Sequence, residues 1–444
     1  MSEPTSVPAL MAPEIEKDNP LTRSVAGLLG MGFLILVGVL CLGSLPWTLG
    51  PAPGSDDTAT PWYNAGAPKQ GRLPPAWWPH DGGARERLLF TVDPERAREA
   101  VTPLAAEWGL PPAEALTLPH TDPRFERLFD ELEPLTKNYL LGTDVLGRSL
   151  WIRILTGGGI SLGIGLAAAM ISVAIGTLYG ALAGYAGGRV DALLMRIVDI
   201  LYGLPYILLV VLIAVASEAF VDGYVSRAPD RRDYVEQQVR DVLDATTENR
   251  VTSGDVRTYI QNPASASVVS EFQETALSLY EPRRHLLGLD MERGGRTVLD
   301  IAALLVAIGG VSWLTMARVV RGQVLSLKKQ PFVEAARAVG APTPRIFIRH
   351  LLPNLLGPII VYATLTVPQA ILQESFLSFL GIGVKPPLPS WGNLASEGLT
   401  ELNPYKSNWW LLFFPCLLLG VTLLALNFVG EGLREAFDPR RSRR

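Results

Sequence analysis

Residues 332–354 read FVEAARAVGAPTPRIFIRHLLPN. With Pro331 in front, the stretch predicts a short helix, PFVEAARAV, that stops at Gly340. Glycine there supplies the positive-φ exit that other residues adopt only at a cost. Thr343-Pro344 then fits a helix start, with proline at the first position, and Pro353 stands where the next apolar run begins. The product is a compact helix-turn-helix between two long apolar stretches, an element that a soluble partner can grip.

Working outward, a bilayer core of about 30 Å takes about 20 apolar residues in a helix. Six windows meet or approach that length: 25–46, 159–184, 197–216, 299–319, 355–377 and 408–430. The first is too long for the apolar part of a signal peptide, and no small-x-small site follows it, so it reads as a retained anchor. The second holds Gly163, Gly165, Gly176, Gly180 and Gly184, small residues that let helix backbones approach closely in lipid. Pro205, Pro368 and Pro415 fall inside spans and predict kinks.

Orientation follows from the short basic loops. The segment after the fourth window carries Arg318, Arg321, Lys328, Lys329, Arg337, Arg345 and Arg349 against one acid, Glu334. The link after the second window carries Arg189 and Arg196, and the last residues carry Arg434, Arg440, Arg441, Arg443 and Arg444. Six spans put all three on one side, so that side and both termini are expected to be cytoplasmic. The expected division is a cytoplasmic tail (1–24), a first span (25–46), an extracytoplasmic segment (47–155), spans two and three (156–216), an extracytoplasmic insertion (217–298), spans four to six (299–430) with the 330–353 loop, and a cytoplasmic tail (431–444). The fold class is an all-α membrane protein with six transmembrane helices and two long extracytoplasmic insertions. Inside those insertions, DPERAREAVTPLAAEWGL reads as a helix capped by Asp93, and 229–245 and 264–281 also read as helical.

Charged residues are 18% of the chain, below the usual quarter of a soluble domain, and the net charge of −4 offers nothing to nucleic acid. Cys41 and Cys416 sit in separate apolar runs, and His80, His120, His285 and His350 are too scattered to ligate a metal. There is no Gly-Lys dipeptide and so no Walker A loop, no H-E-x-x-H and no G-x-S-x-G. The chain therefore reads as no enzyme, binding no metal or cofactor. The ionisable residues within the spans, Asp199, Asp300 and Glu374, lie near span ends and read as solvated at the interface, which argues against a proton-coupled carrier. Energy for transport would come from a partner. The residues alone leave open a permease driven by such a partner, a membrane-anchored extracytoplasmic scaffold, and a channel or secondary transporter.

Four ordered motifs narrow this. Glu334-Ala335-Ala336, Gly340 and Leu352-Pro353 have the spacing E-A-A-x3-G-x9-I-x-L-P, with His350 at the isoleucine position. Residues 140–165, LLGTDVLGRSLWIRILTGGGISLGIG, carry Gly142, Thr143, Asp144, Gly147 and Arg148 in the pattern G-T-D-x-L-G-R-D, with Ser149 replacing the last aspartate. Residues 183–205 carry Gly187, Gly188, Asp191, Arg196 and Asp199 in AGYAGGRVDALLMRIVDILYGLP, and FLSFLGIGVKPPLPSWGNL and EGLREAFDPR follow later. Together these resemble the second permease of the dipeptide, oligopeptide and nickel branch of bacterial ABC importers.

The resemblance implies the type I importer permease fold, in an inner membrane. It implies that Glu334, Ala335, Ala336, Arg337, Gly340, Leu352 and Pro353 couple the chain to an ATPase. It implies a second homologous permease, two ATP-binding subunits that carry the ATP and Mg, an extracytoplasmic solute-binding protein, and a peptide or related small solute such as a nickel chelate. Gly142, Thr143, Asp144 and Gly147 are expected to form a turn at the outer boundary. Arg148 reads as an interfacial anchor, with contact to a substrate carboxylate as the alternative. Gly187 and Gly188 read as a tight turn, and Asp191, Arg196 and Asp199 as a buried ion-pair network. The 47–155 and 217–298 segments exceed the family pattern and read either as a cap on the outer face that contacts the binding protein or shields the entrance, or as lineage-specific insertions without a part in transport. On the cap reading, deleting 222–292 should weaken binding-protein docking, and unchanged uptake by the deleted protein would refute the cap.

Overall fold

The computed structural model describes residues 25–53, 60–226, 293–403 and 407–436. The helices expected at 229–245 and 264–281 lie outside the described residues. Among those residues, every element longer than an isolated bridge is helical.

Helix α1 (Val25–Thr48) is followed by a unit of short helices: α2 (Gly82–Leu89), α3 (Pro94–Trp108), α4 (Pro112–Ala115) and α5 (Phe125–Leu132). Asp93 caps α3 by accepting from the backbone N–H groups of Glu95 (3.1 Å) and Arg96 (3.2 Å), and Gly109 ends it at φ 64°. Val101, Ala105, Phe125, Leu128 and Leu132 fill a core of this unit's own. The segment is thus a small folded unit rather than a loop, because its apolar residues recur at helical spacing and bury one another.

The membrane bundle follows: α6 (Leu150–Ala186), α7 (Gly188–Tyr202), α8 (Tyr206–Ser226), α9 (Arg293–Leu327), α10 (Pro331–Ala338), α11 (Thr343–Ile346), α12 (Leu352–Phe379), α13 (Trp391–Thr400) and α14 (Trp410–Ala436). Among the described residues, five spans are long and apolar enough to cross a bilayer: Gly27–Thr48, Leu150–Ala186, Thr297–Leu327, Thr343–Phe379 and Trp410–Glu435. A sixth exists only when α7 and α8 are taken together, and they meet at 90°.

That bend falls at Pro205, where a kink within the 197–216 span was expected, and is sharp enough to part the span into two helices. Pro205 has no N–H to donate and disfavours helix at Leu204, so the chain ends one helix at Tyr202 and starts another at Tyr206. The second span begins at Leu150, so its first turns belong to the bundle and not to the preceding loop. Pro353 lies in the first turn of α12, at the entry expected for the fifth span, and a π turn at Phe347–Leu351 joins that helix back to α11.

Helix α6 packs along α9, with α12 and α1 on its other sides. Gly176, Gly180 and Gly184 lie on one face, four residues apart, and set the approach to α9. A Cβ on Gly176 would come within 2.5 Å of Met316 Cβ, and one on Gly180 within 2.3 Å of the Ala317 carbonyl oxygen. Ser172 adds a hydrogen bond to the Gly309 carbonyl at 3.2 Å. A side chain at Gly180 has to displace backbone, so Gly180→Leu should cost about 3 kcal/mol, the upper end of overpacking. Gly163→Leu is the control, since nothing lies within 4 Å of its Cβ position. Thermal melts of the purified proteins in detergent check this; equal melting temperatures for the two variants would refute it.

Candidate functional site

Three places gather most of the motif residues singled out in the sequence. The first is the loop at the C-terminal end of α9. Val333 is fully buried with Ile346, Leu351 and Leu355 and pins α10 to the bundle. The Arg337 guanidinium lies 5.9 Å from the Tyr185 ring centroid, and the His350 ring faces Phe332 at 6.5 Å. Gly340 takes φ 78°, and the Ala341 N–H returns to the Ala336 carbonyl at 3.1 Å. One helix face is thereby anchored and the other is left open. Glu334, Ala335 and Ala338 are exposed, and so is Val339, at 87%. Leu352 is half-buried and Pro353 exposed at the base of the same element.

The second lies at the opposite end of the bundle, where residues 140–153 clamp the small unit to α6 and α13. Gly142 (φ 80°) and Gly147 (φ 76°) sit where a Cβ would meet the Leu73 and Ala67 carbonyl oxygens. The Thr143 hydroxyl donates to the Gln70 carbonyl (2.7 Å) and accepts from the Leu73 N–H (2.9 Å). Asp144 accepts from the N–H groups of Leu146 and Arg148, both 2.9 Å away. Its other oxygen accepts from Arg148 Nε (2.6 Å) and Arg153 Nη1 (2.7 Å). Arg153, 1% exposed, also donates to both Glu397 oxygens at 2.5 and 3.0 Å, and Arg148 donates to Asn64 at 3.0 Å.

Arg148 is therefore neither an interfacial anchor nor free to meet a solute carboxylate: its charge is committed within a buried network, and it is only 7% exposed. Arg153 and Glu397 completed that network without being singled out in the sequence. The signal was a lone arginine in the apolar run WIRILTGGG, a cation that burial obliges to find acids.

Nearby, Arg72 donates to Glu401 at 2.7 and 3.0 Å, tying the small unit to the loop after α13. Those hydrogen bonds hold the Glu401 carboxyl below the usual glutamate value, against the opposing effect of burial. A folded-state value that is lowered means stability present above the ordinary glutamate range and lost as pH falls through the lowered value. The melting-temperature gap between wild type and Glu401→Gln should thus be open at neutral pH and close as pH falls through and below the ordinary glutamate range. A gap independent of pH would refute it.

The third place is the α7–α9 face. Gly187 (φ 66°) and Gly188 (φ 55°) turn the chain from α6 into α7. Arg321 donates to both Asp191 oxygens at 2.5 and 2.6 Å, and Arg318 donates to Asp199 at 2.8 Å. The expected single buried network is instead two separate pairs to α9. Arg196 is exposed and takes no part, and the Asp199 side chain is 60% exposed. The chain bends by 90° between α7 and α8, and Asp191 and Asp199 each reach α9 through an arginine of their own.

Glu374 also departs from expectation. Its carboxyl is fully buried and not solvated. It accepts from Ser378 at 2.7 Å and Ser375 at 3.3 Å, with the Ser161 and Ser390 hydroxyls against it. Asp300 lines a cavity of about 690 Å³ together with Lys385 and Tyr63.

An anchored loop with one open face, projecting from a bundle of apolar helices, is the arrangement of a membrane subunit that engages a soluble partner. The sequence pattern of the "binding-protein-dependent transport system inner membrane component" family matches residues 176–443. This chain belongs to that family. Its relatives include the dipeptide transport system permease protein of Bacillus subtilis, 34% identical over 322 residues, covering 72% of this chain and 75% of the relative. The oligopeptide transport system permease protein of Haemophilus influenzae is 36% identical over 302 residues, 68% of this chain and 70% of the relative. That of Escherichia coli is 38% identical over 308 residues, 69% and 74%. As a member of the family, the chain is a multi-pass inner-membrane permease subunit of a binding-protein-dependent ABC importer. The scaffold, channel and secondary-transporter readings are set aside by that membership.

Proposed function

We propose that this permease, paired with a second homologous permease, forms the pathway of an importer for peptides, the solute class named for its relatives. Two ATP-binding subunits, which hold the ATP and Mg, dock on the cytoplasmic face; a solute-binding protein delivers the peptide from outside. The chain itself binds no cofactor and catalyses no reaction, and its termini are cytoplasmic. The observation that carries the reading is the 331–341 element, fixed to the bundle through Val333 while Glu334 and Val339 stand open. A rigid handle of this kind passes motion between a soluble subunit and the spans. ATP binding, by closing the ATPases, would shift the bundle between inward and outward access. Arg337 and Gly340 shape the handle, and Leu352 and Pro353 join it to α12.

The test is reconstitution of the four-component assembly with a binding protein in liposomes. ATP-dependent uptake of labelled di- and oligopeptides is expected. Failure of every peptide to enter, with the assembly intact, would overturn the peptide assignment.

A further inference from the structure

Helix α12 is apolar in composition, yet Tyr362, Thr366, Gln369 and Gln373 follow one another at intervals of four, three and four residues. That spacing places them on one helix face, over about 16 Å of axis. The face is not packed away. Gln369 is exposed, Thr366 and Gln373 are half-buried, and Tyr362 is 37% exposed. At its outer end, the Gln373 amide donates to the Tyr206 hydroxyl at 2.6 Å, and Tyr206 shares a hydrogen bond with Ser312 at 2.8 Å. Three spans thus contribute to one uncharged polar track, Tyr206 from α8, Ser312 from α9 and the rest from α12.

Such groups do not face lipid. A carboxamide in hydrocarbon without hydrogen-bonding partners costs several kcal/mol, and polar side chains within spans point to protein or to a water-filled cavity. The contrast is α1, whose exposed residues include Leu29, Ile35, Leu36 and Val39. The track also lacks formal charge, so it would bind no ion tightly. It does offer both donors and acceptors along a line.

We infer that this track lines the translocation pathway and hydrogen-bonds the backbone amides of an extended peptide in transit. The inference rests on the permease reading and names the surface of that pathway. A peptide backbone repeats its donors and acceptors every 3.2–3.4 Å, so a column of amides and hydroxyls engages it whatever its side chains. The absence of charge on the track lets acidic and basic peptides pass alike.

The test uses the assembled transporter in liposomes. In a background with Cys41→Ala and Cys416→Ala, Gln369→Cys should react with a charged, membrane-impermeant methanethiosulfonate, and added peptide should slow that reaction. Val39→Cys, 66% exposed on α1, should stay unreactive. Gln369→Leu/Gln373→Leu should raise the apparent KM for peptide uptake about tenfold, with binding-protein docking retained. Gln369→Cys as inert as Val39→Cys would overturn the inference. So would reaction in the isolated chain alone, which would make the track a seam between permeases. An unchanged KM for the double leucine variant would overturn the backbone contact. A wild-type assembly that imports no peptide while Gln369→Cys still labels would instead refute the peptide reading.

Discussion

Asp144→Ala should be the most destabilising single substitution where the 60–149 unit meets the bundle, with a loss of about 3–5 kcal/mol. Asp144 is 4% exposed and faces two guanidiniums, those of Arg148 and Arg153, that are themselves nearly buried. Removing it leaves two buried cations with one acid, Glu397, whose side chain is 36% exposed. It also orphans the Leu146 and Arg148 N–H groups. Breaking a buried pair from one side costs more than the pair contributes, because the remaining charge is left without either water or partner. Glu397→Gln should cost only about 1 kcal/mol, since its acid is partly solvated and Arg153 keeps Asp144. Asp144→Asn should fall between, as it keeps an oxygen for the two N–H groups and loses the charge. Melting temperatures in detergent, with proteolysis of the 60–149 unit as a second readout, check the order. An alanine variant no worse than Glu397→Gln would show that the network is not what holds that unit down.

Glu334→Lys should abolish association with the ATPase subunit while leaving the chain folded. Glu334 is exposed on α10, and its side chain takes no part in the Val333 anchor, so the melting temperature should not move. A reversed charge inside a docking groove costs about 2 kcal/mol or more, roughly thirtyfold in affinity. Co-purification of the second permease should persist, because the spans are untouched. Loss of both partners would mean misfolding, and retention of the ATPase at wild-type level would remove Glu334 from the coupling surface.

The sequence by itself determined the apolar spans, the helix-stop at Gly340, the Asp93 cap and the family. These are local properties: hydrophobic length, a glycine φ and a side-chain oxygen two and three residues from its N–H partners are set within a few residues of chain. Only the tertiary structure decided where the charges go. Arg153 meets Glu397 across 244 positions, Arg318 takes Asp199 across 119, and Glu374 is buried among serines from separate segments. Proximity to a span end suggested solvation for Asp199, Asp300 and Glu374, and burial reversed that for Glu374. The polar column of α12 was written in the spacing of Tyr362, Thr366, Gln369 and Gln373, but which face of a helix stays open depends on what packs against the others. Ion pairing and exposure are sums over neighbours brought in from distant sequence, and no window along the chain contains those neighbours.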